Sequence, residues 1–480
     1  MYAFHVRKRD HSRRLKSWRR FDAQCSLIII FLIATAAIDA GGQTPDKTAA
    51  QVSEVTDRPV VITLDEAIRR AESSEPAFAA ALGTSRSAAL DRSIARAGLL
   101  PDARFYSQDV YTQPNGIYTE GDAGEPSAPL PRFVANDSRP REYMAQGVVD
   151  ESLSMTGLAA VRRADAAAAQ ADAQQEIARR GLVAGVTVLF YSSLAADHKL
   201  TSAERARQEA AVFTRLTRER EQARESAHAD VVKAELEEQQ RDRDVEDATV
   251  GAEEARLELG VLLFADPRTP YTLSAPEAAP PLPSREDVVQ AAAKNNPEMK
   301  SALAALDVSN ADVLAAWAAY MPNILLNVIY GIDANQFAVN GPLNPDGTQA
   351  RNLGYSTSVT VNVPVWDWLA TQHKVKQSEI RRDAAKVALS ATQRKLIAHL
   401  EECYSSAQVA RDELASLDAS AATAAESLRL TKLAYEGGEA TVLEVVDAQK
   451  AYLLAENARE DGRVRYETAL ANLQTLTGAI

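Results

Sequence analysis

The stretch AWAAYMPNILLNVIYGI, residues 316–332, changes from a helix-like pattern to a strand-like one at Pro322. Beyond the proline, apolar side chains recur at every second position, with Asn323, Asn327 and Gly331 between them, although Leu325 and Ile329 dilute the polar positions. A similar alternation follows in residues 353–365. Strands of about ten residues with one apolar and one polar face are long enough to cross a bilayer when tilted. We predict two transmembrane strands, near 322–332 and 353–365; a soluble hairpin with one buried face is the alternative.

The chain contains this unit twice. ARAGLLP at 95–101 aligns with AWAAYMP at 316–322 with an offset of 221 residues, and RESAHADVVKA at 224–234 aligns with GEATVLEVVDA at 438–448 with an offset of 214. Such self-similarity indicates repeated structural units. We predict an N-terminal segment at 41–63, a first repeat at 64–264, a Pro-rich linker at 265–284 and a second repeat at 285–480. Alternation in the first repeat is weaker, and its strands are expected near 101–112 and 142–152.

The remainder of each repeat reads as helix. Residues 64–98 and 285–319 are predicted to be helices that end before a proline. Long helices are predicted from Gly157, for about 65 residues or about 100 Å, and then for about 36 residues to Leu263. The second repeat is predicted to form them at 371–434 and 441–476. Rods of this length exceed a globular core, and their alanine-rich seams favour a coiled-coil wall with charged residues on solvated faces.

The amino terminus has the features of a secretory leader. Its first twenty residues carry eight Lys or Arg against one Asp, and residues 27–38 carry no charge. We predict a signal peptide at 1–40, cleaved near Ala37 or Ala40. Its removal leaves 45 basic and 63 acidic residues, a net charge of −18, which argues against nucleic-acid binding. Cys25 precedes the apolar run, so lipidation is not expected, and Cys403 is predicted to be a small buried hydrophobic residue.

Two alternative functional classes make different predictions for the sequence. For an enzyme, the six histidines lack metal-ligand spacing, and no phosphate loop, nucleophile elbow or Cys–His pair occurs, so we predict no catalysis, cofactor or metal. Ser154, at a predicted helix start, is interpreted as a cap. The other class is a soluble periplasmic coiled-coil adaptor or structural protein. Adaptors have one hairpin between β-rich domains, whereas this chain has two hairpins and amphipathic strand pairs.

Four strands cannot enclose water, and a bare strand edge in lipid would leave backbone groups unsatisfied. Three copies would supply twelve strands. The predicted fold class is therefore a mixed α/β membrane protein: a homotrimer with a 12-stranded β-barrel in outer-membrane lipid, continued by an α-helical barrel. Four aromatic residues near strand ends are candidates for an interfacial belt: Tyr111, Tyr355, Trp366 and Trp368.

Three features together resemble the outer-membrane efflux protein family, of which TolC is the type. They are the repeated helix–proline–strand entrance, VPVWD at 363–367, and YEGGEATVLEVVDAQ at 435–449. The resemblance covers nearly the whole mature chain. It implies the outer-membrane channel of a tripartite efflux or type I secretion system, extending into the periplasm and coupled through a periplasmic adaptor to an inner-membrane pump.

The resemblance also assigns the two helical hairpin tips, near 222–230 and 435–444. Gly437-Gly438 can break the helix and Thr441 can cap the next. The family pattern implies a pore constriction at Asp230, Glu444 and Asp447, a tip latch at Tyr435, and adaptor-docking positions at Arg224, Glu225, Ser226, Val231, Gly437, Gly438, Thr441 and Val445. Rings of three acids would raise the pKa of each and attract cations; solvated helix-end acids are the alternative.

Two departures from the family pattern concern these tips. Arg224 stands at the position of Gly438, so a non-glycine residue must make the first turn. The family's basic latch residue is replaced by Ala440, which predicts a closed state with less ion pairing.

Overall fold

The computed structural model describes residues 60–111, 141–274 and 280–478, which belong to one compact unit. The predicted signal peptide and its cleavage site, most of the segment 41–63, and the first repeat's long loop lie outside the described residues. None of the helices in the described ranges combines the length and apolar character needed to cross a membrane.

Four strands form the main sheet: β2 (Asp102–Tyr111), β3 (Arg141–Leu153), β5 (Asn323–Ala334) and β8 (Leu353–Asn362). They lie in the order β2-β3-β5-β8, and every neighbouring pair is antiparallel. The weakly alternating strands of the first repeat thus pair with each other, and β3 joins the two repeats through β5. β8 ends at Asn362, shortly before Pro364, because proline cannot donate to the ladder.

The register sorts the side chains of the sheet onto two faces, because directly paired residues lie on the same face. Ile324, Leu326 and Tyr330 pair with Val361, Val359 and Tyr355, so the predicted apolar positions of both strands share one face. On the other face, Asn327 pairs with Ser358 and Asp150. Asn327 Nδ2 donates to Asp150 Oδ1 at 2.5 Å, and Arg104 Nη2 lies 2.7 Å from Asp150 Oδ2.

Two small pairings were not predicted from the sequence. β1 (Val60–Thr63) pairs in parallel with β4 (Tyr271–Ser274), which lies inside the stretch assigned to the linker. Within the second repeat's long loop, β6 (Asn340–Leu343) and β7 (Gln349–Arg351) form a short hairpin. Four-residue strands carry too little periodicity to be recognised locally, and β1 and β4 depend on a partner over two hundred residues away.

Each repeat was predicted to begin with one continuous helix. In the structure each of these helices is divided in two, which corrects the prediction. The first becomes α1 (Leu64–Ser74) and α2 (Pro76–Ala97); the second becomes α5 (Arg285–Asn295) and α6 (Pro297–Ala318). Glu75 and Asn296 have extended backbones with ψ of 117° and 122°. A residue that precedes proline is pushed out of the helical region, whereas proline itself is favoured in the first turn.

The long helices form two hairpins. The first consists of α3 (Met155–Gln222) and α4 (His228–Leu263), the second of α7 (Ala370–Glu436) and α8 (Val442–Thr477). The 68 residues of α3 span about 100 Å. Ser154 caps α3 through a bond from the Gly157 amide at 3.1 Å, as predicted. α3 packs along α4, α6 and α8, so that the two hairpins lie side by side.

The hydrophobic core consists of separate clusters, and two of them repeat the same positions. Ala67, Ala71 and Leu259 belong to one cluster; Val288, Ala292 and Leu473, at offsets of 221, 221 and 214, belong to the other. Cys403 lies in the second cluster with 9% of its surface exposed, and burial raises the pKa of its thiol. This cysteine is thus the small buried residue that the sequence predicted.

Candidate functional site

The second hairpin tip turns through a glycine in the left-handed region. Gly438 has φ of +79°, and the amide of Glu439 donates to the carbonyl of Ala434 at 2.8 Å. This bond reaches back five residues and satisfies a carbonyl that the end of α7 would otherwise leave free. An L-residue in this conformation brings its Cβ close to the following carbonyl, which glycine avoids.

The first tip makes the same turn without glycine. Arg224, at the position equivalent to Gly438, has φ of +62°. The amide of Glu225 donates to the carbonyl of Arg220 at 2.8 Å, which matches the bond between Glu439 and Ala434 in the second tip. The turn is therefore made by a non-glycine residue, as predicted, and its geometry is the same in the two repeats despite the conformational cost.

The two returning helices begin differently. In α8, Thr441 and Glu444 form a capping box: the Glu444 amide donates to Thr441 Oγ1 at 3.3 Å, and the Thr441 amide donates to Glu444 Oε2 at 2.6 Å. The bond from the Thr441 amide, and after it the bond from the Thr441 hydroxyl, lower the pKa of the Glu444 carboxyl. In α4 the equivalent cap, Ala227, has no side-chain bond, and Asp230 lies 3.8 Å from Lys233 Nζ. Glu444 thus has a structural role within its own protomer.

The predicted docking residues fall into two groups. Arg224, Glu225, Gly437, Gly438 and Thr441 are exposed, and Ser226 is partly exposed. Val231 and Val445, by contrast, are only 3% and 0% exposed. They occupy equivalent positions, one residue after the acids Asp230 and Glu444, where the side chain points between the packed helices. This corrects the prediction that these two valines contribute to an exposed docking surface.

Asp230, Glu444 and Asp447 are not joined to one another. No hydrogen bond or ion pair links any two of these acids in the described part of a single chain. Asp447 is exposed on α8, and Ala440 is partly buried against the tip cluster described next. Any constriction formed by these acids therefore requires other copies of the chain.

Tyr435 lies where the two hairpins meet, and it is 5% exposed. Its ring lies 5.0 Å from that of Phe213 in the first hairpin, and its hydroxyl lies 3.5 Å from Thr217 Oγ1. The surrounding cluster, which we call the tip cluster, joins both hairpins; its buried members are Phe213, Ala234, Tyr435, Val442, Val445 and Val446. Aromatic pairs at this separation stabilise contacts beyond the area they bury.

One residue of this region was missed in the sequence. The Cζ atom of Arg220 lies 4.5 Å from the centroid of the Tyr435 ring. Its Nη1 and Nη2 atoms donate to the carbonyls of Tyr435 and Glu436 at 2.8 and 3.0 Å. Arg220 belongs to a charged run, RLTRERE at 215–221, in which nothing local distinguishes it from its neighbours.

Sequence comparisons with known proteins match only part of the chain. Residues 288–479 match the model of the outer membrane efflux protein family. The outer membrane protein OprJ of Pseudomonas aeruginosa is 28% identical over 180 residues, which are 38% of this chain and 36% of OprJ. The matched region therefore spans about a third of that relative's length.

The structural similarity covers far more of the chain. The CmeC outer membrane channel of Campylobacter jejuni has a TM-score of 0.66 at 16% identity, covering 86% of this chain and 85% of CmeC. For VceC of Vibrio cholerae the TM-score is 0.67 at 14% identity, covering 87% and 96%. For the open MtrE channel of Neisseria gonorrhoeae it is 0.64 at 19% identity, covering 87% and 89%. The predicted protomer fold is confirmed by these structures, and residues 288–479 match the model of the family that the sequence resembles.

Proposed function

We propose that this chain is the outer-membrane channel of a tripartite efflux or type I secretion system, a proposal supported by the match of residues 288–479 to the model of the outer membrane efflux protein family. In this proposal three copies form a passive duct with no catalysis of its own. A periplasmic adaptor couples the duct to an inner-membrane pump, which supplies the energy and selects the cargo. The channels named above do not favour the alternative of a soluble adaptor.

The observation that carries the proposal is the sheet. One face carries most of the apolar residues of β5 and β8, although Glu151, Ser107 and Asp109 interrupt it in the first repeat. The other face holds Asn327, Asp150 and Arg104. β2 and β8 form the two outer edges of the sheet. In the described residues neither outer edge is paired. A sheet of this kind satisfies its backbone groups in lipid only when other copies cover both edges. Three copies supply twelve strands, with the polar faces lining a water-filled lumen.

The hairpins supply the second part of the duct. α3 and α7 each span about 100 Å and follow shortly after β3 and β8, so a trimer would extend the barrel far beyond the bilayer. The exposed tip residues Arg224, Glu225, Gly437 and Gly438 would be available to an adaptor at the distal end. Ser226 and Thr441 lie beside them and complete the proposed docking surface.

We assign the constriction to Asp230, Glu444 and Asp447, each repeated three times around the pore. Three like charges at close range raise one another's pKa and attract cations. Within one protomer the capping box acts in the opposite direction on Glu444, since its bonds favour the ionised form. Glu444 is therefore ionised but engaged at its own helix start, so we assign exposed Asp447 as the acid of this tip whose carboxylate faces the pore.

Reconstitution into planar bilayers tests the proposal. The purified protein should require detergent, form trimers and conduct ions with a preference for cations. Asp230→Asn and Asp447→Asn should reduce that preference. Glu444→Gln separates charge from capping, because glutamine also completes a capping box. Glu413→Gln, about 33 Å from the tip along α7, serves as the control acid.

Two results would overturn these assignments. A monomeric protein that stays monodisperse in water without detergent is not a membrane channel. A cation preference that is equal in the native protein and in the tip variants would remove the acids from the constriction. Unchanged conductance in Tyr435 variants would remove Tyr435 from the proposed tip latch.

A further inference from the structure

Arg220 makes contacts outside its own hairpin. It lies in the last turn of α3, and both of its terminal nitrogens donate to the second hairpin, at the carbonyls of Tyr435 and Glu436. Its guanidinium also stacks over the Tyr435 ring at 4.5 Å. We call this set of contacts the tip clasp: Arg220 with Tyr435 and Glu436.

The chemistry of the clasp suits its position. The last carbonyls of α7 have no partner within the helix, and the helix dipole makes that end negative. A guanidinium offers several donors in a fixed plane, so it can bridge two adjacent carbonyls and still stack on an aromatic ring. Hydrogen bonds from a charged donor are roughly twice as strong as neutral ones.

Only the first hairpin supplies a side chain to the clasp. The residue equivalent to Arg220 in the second repeat is Ala434, at an offset of 214, and alanine cannot return the contact. A second link between the hairpins near the tips joins Lys432 to Glu209, but those side chains are 37% and 43% exposed. Exposed ion pairs contribute little to stability. A third link joins Lys450 of α8 to Glu237 of α4 at 3.2 Å. Of these three links, only that of Arg220 reaches the final carbonyls of α7, so Arg220 is the contact expected to fix the end of this helix.

We propose that Arg220 is a positioning residue that holds the two hairpin tips of one protomer together as a single body and thereby sets the bore of the duct's entrance. The second half of this statement rests on the proposed function. The tip cluster supplies the apolar part of the joint, and the clasp fixes the end of α7 against α3. Widening the entrance by moving the second tip alone requires these bonds to break.

Hydrogen exchange of the full-length protein in detergent tests the joint directly. Arg220→Ala should accelerate exchange about tenfold at the end of α7 and in the second tip, residues 433–441, because it removes two charge-assisted bonds. Arg220→Lys keeps the charge but not the planar fork, so a smaller acceleration is expected. Arg218→Ala is the matched control, since Arg218 pairs with Glu235 inside its own hairpin at 2.8 Å.

Conductance of the same variants in planar bilayers tests the effect on the entrance. Arg220→Ala should at least double the conductance, and Arg218→Ala should leave it unchanged. Equal exchange in Arg220→Ala and the native protein would refute the clasp. Faster exchange with unchanged conductance would refute the role in setting the bore. If the native protein itself does not conduct, the proposed function fails, while the exchange data still decide whether the clasp exists.

Discussion

The two tips provide a reciprocal test of backbone strain. Both use one left-handed residue at equivalent positions, Arg224 with φ of +62° and Gly438 with φ of +79°. A Cβ built on Gly438 meets nothing within 4 Å, so Gly438→Ala adds backbone strain without a steric clash. Arg224→Gly removes the corresponding strain from the first tip. We expect the two substitutions to change the stability of their tips in opposite directions.

The expected size follows from two opposing effects. An L-residue in the left-handed region costs about 1–2 kcal/mol relative to glycine. Glycine loses about 0.5–1 kcal/mol more backbone entropy on folding. The difference is about 0.7 kcal/mol, stabilising for Arg224→Gly and destabilising for Gly438→Ala. Since 1.4 kcal/mol corresponds to a factor of ten, local opening should change by a factor of about three.

Exchange of two amides would report this change. The amide of Glu225 bonds to the Arg220 carbonyl, and that of Glu439 to the Ala434 carbonyl. Glu225 should exchange about threefold more slowly in Arg224→Gly, and Glu439 about threefold faster in Gly438→Ala. Arg224→Ala removes the charge but keeps the strain, so it should not slow exchange. If Arg224→Gly and Gly438→Ala changed the amide exchange rates of their tips in the same direction, the strain argument would be refuted.

Three further predictions concern other parts of the chain. Thr441→Ala removes the cap of α8 and should lower stability by about 1 kcal/mol, measured by urea unfolding. The pKa of Glu460 is lowered from 4.5 to about 2, and the hydrogen bond with His198 makes the largest contribution. Its stabilisation, about 3 kcal/mol, is present above pH 4.5 and lost as the pH falls through 2, so Glu460→Gln should show a smaller loss than the native protein in acid unfolding. Trp366 and Trp368, 69% and 84% exposed, should be quenched by lipids brominated near the headgroup; equal emission in unbrominated lipid would exclude them from the membrane interface.

The strands of the second repeat were predicted closely because their side chains meet two different environments, and alternation records that locally. In the first repeat, Ser107 and Asp109 interrupt the apolar positions, yet β2 pairs with β3 over its whole length. β3 is also fixed by its pairing with β5 along its other edge. The local sequence pattern of β3 carries no information about that pairing. The helix breaks before Pro76 and Pro297 follow from a local effect, since the residue before a proline is pushed out of the helical region. They were not predicted because residues of helical composition continue on both sides of each proline.

The candidate site was predicted only in outline. The turns at Gly438 and Arg224 and the cap at Thr441 follow from residue type, because backbone conformation and capping depend on neighbours in sequence. The burial of Val231 and Val445 does not, since exposed and buried valines look alike on a helix whose packed face is unknown. Their exclusion from the docking surface required the arrangement of both hairpins.

The sequence by itself determined the duplication, the two-faced strands, the long helices and the turns that join them. Each of these depends on periodicity or on the conformational preferences of a few adjacent residues. Only the tertiary structure decided the sheet order, the parallel pairing of β1 with β4, and the contact of Arg220 with Tyr435. The last two residues are 215 positions apart, and their contact exists because the two hairpins pack side by side through α3 and α8, which brings their tips together.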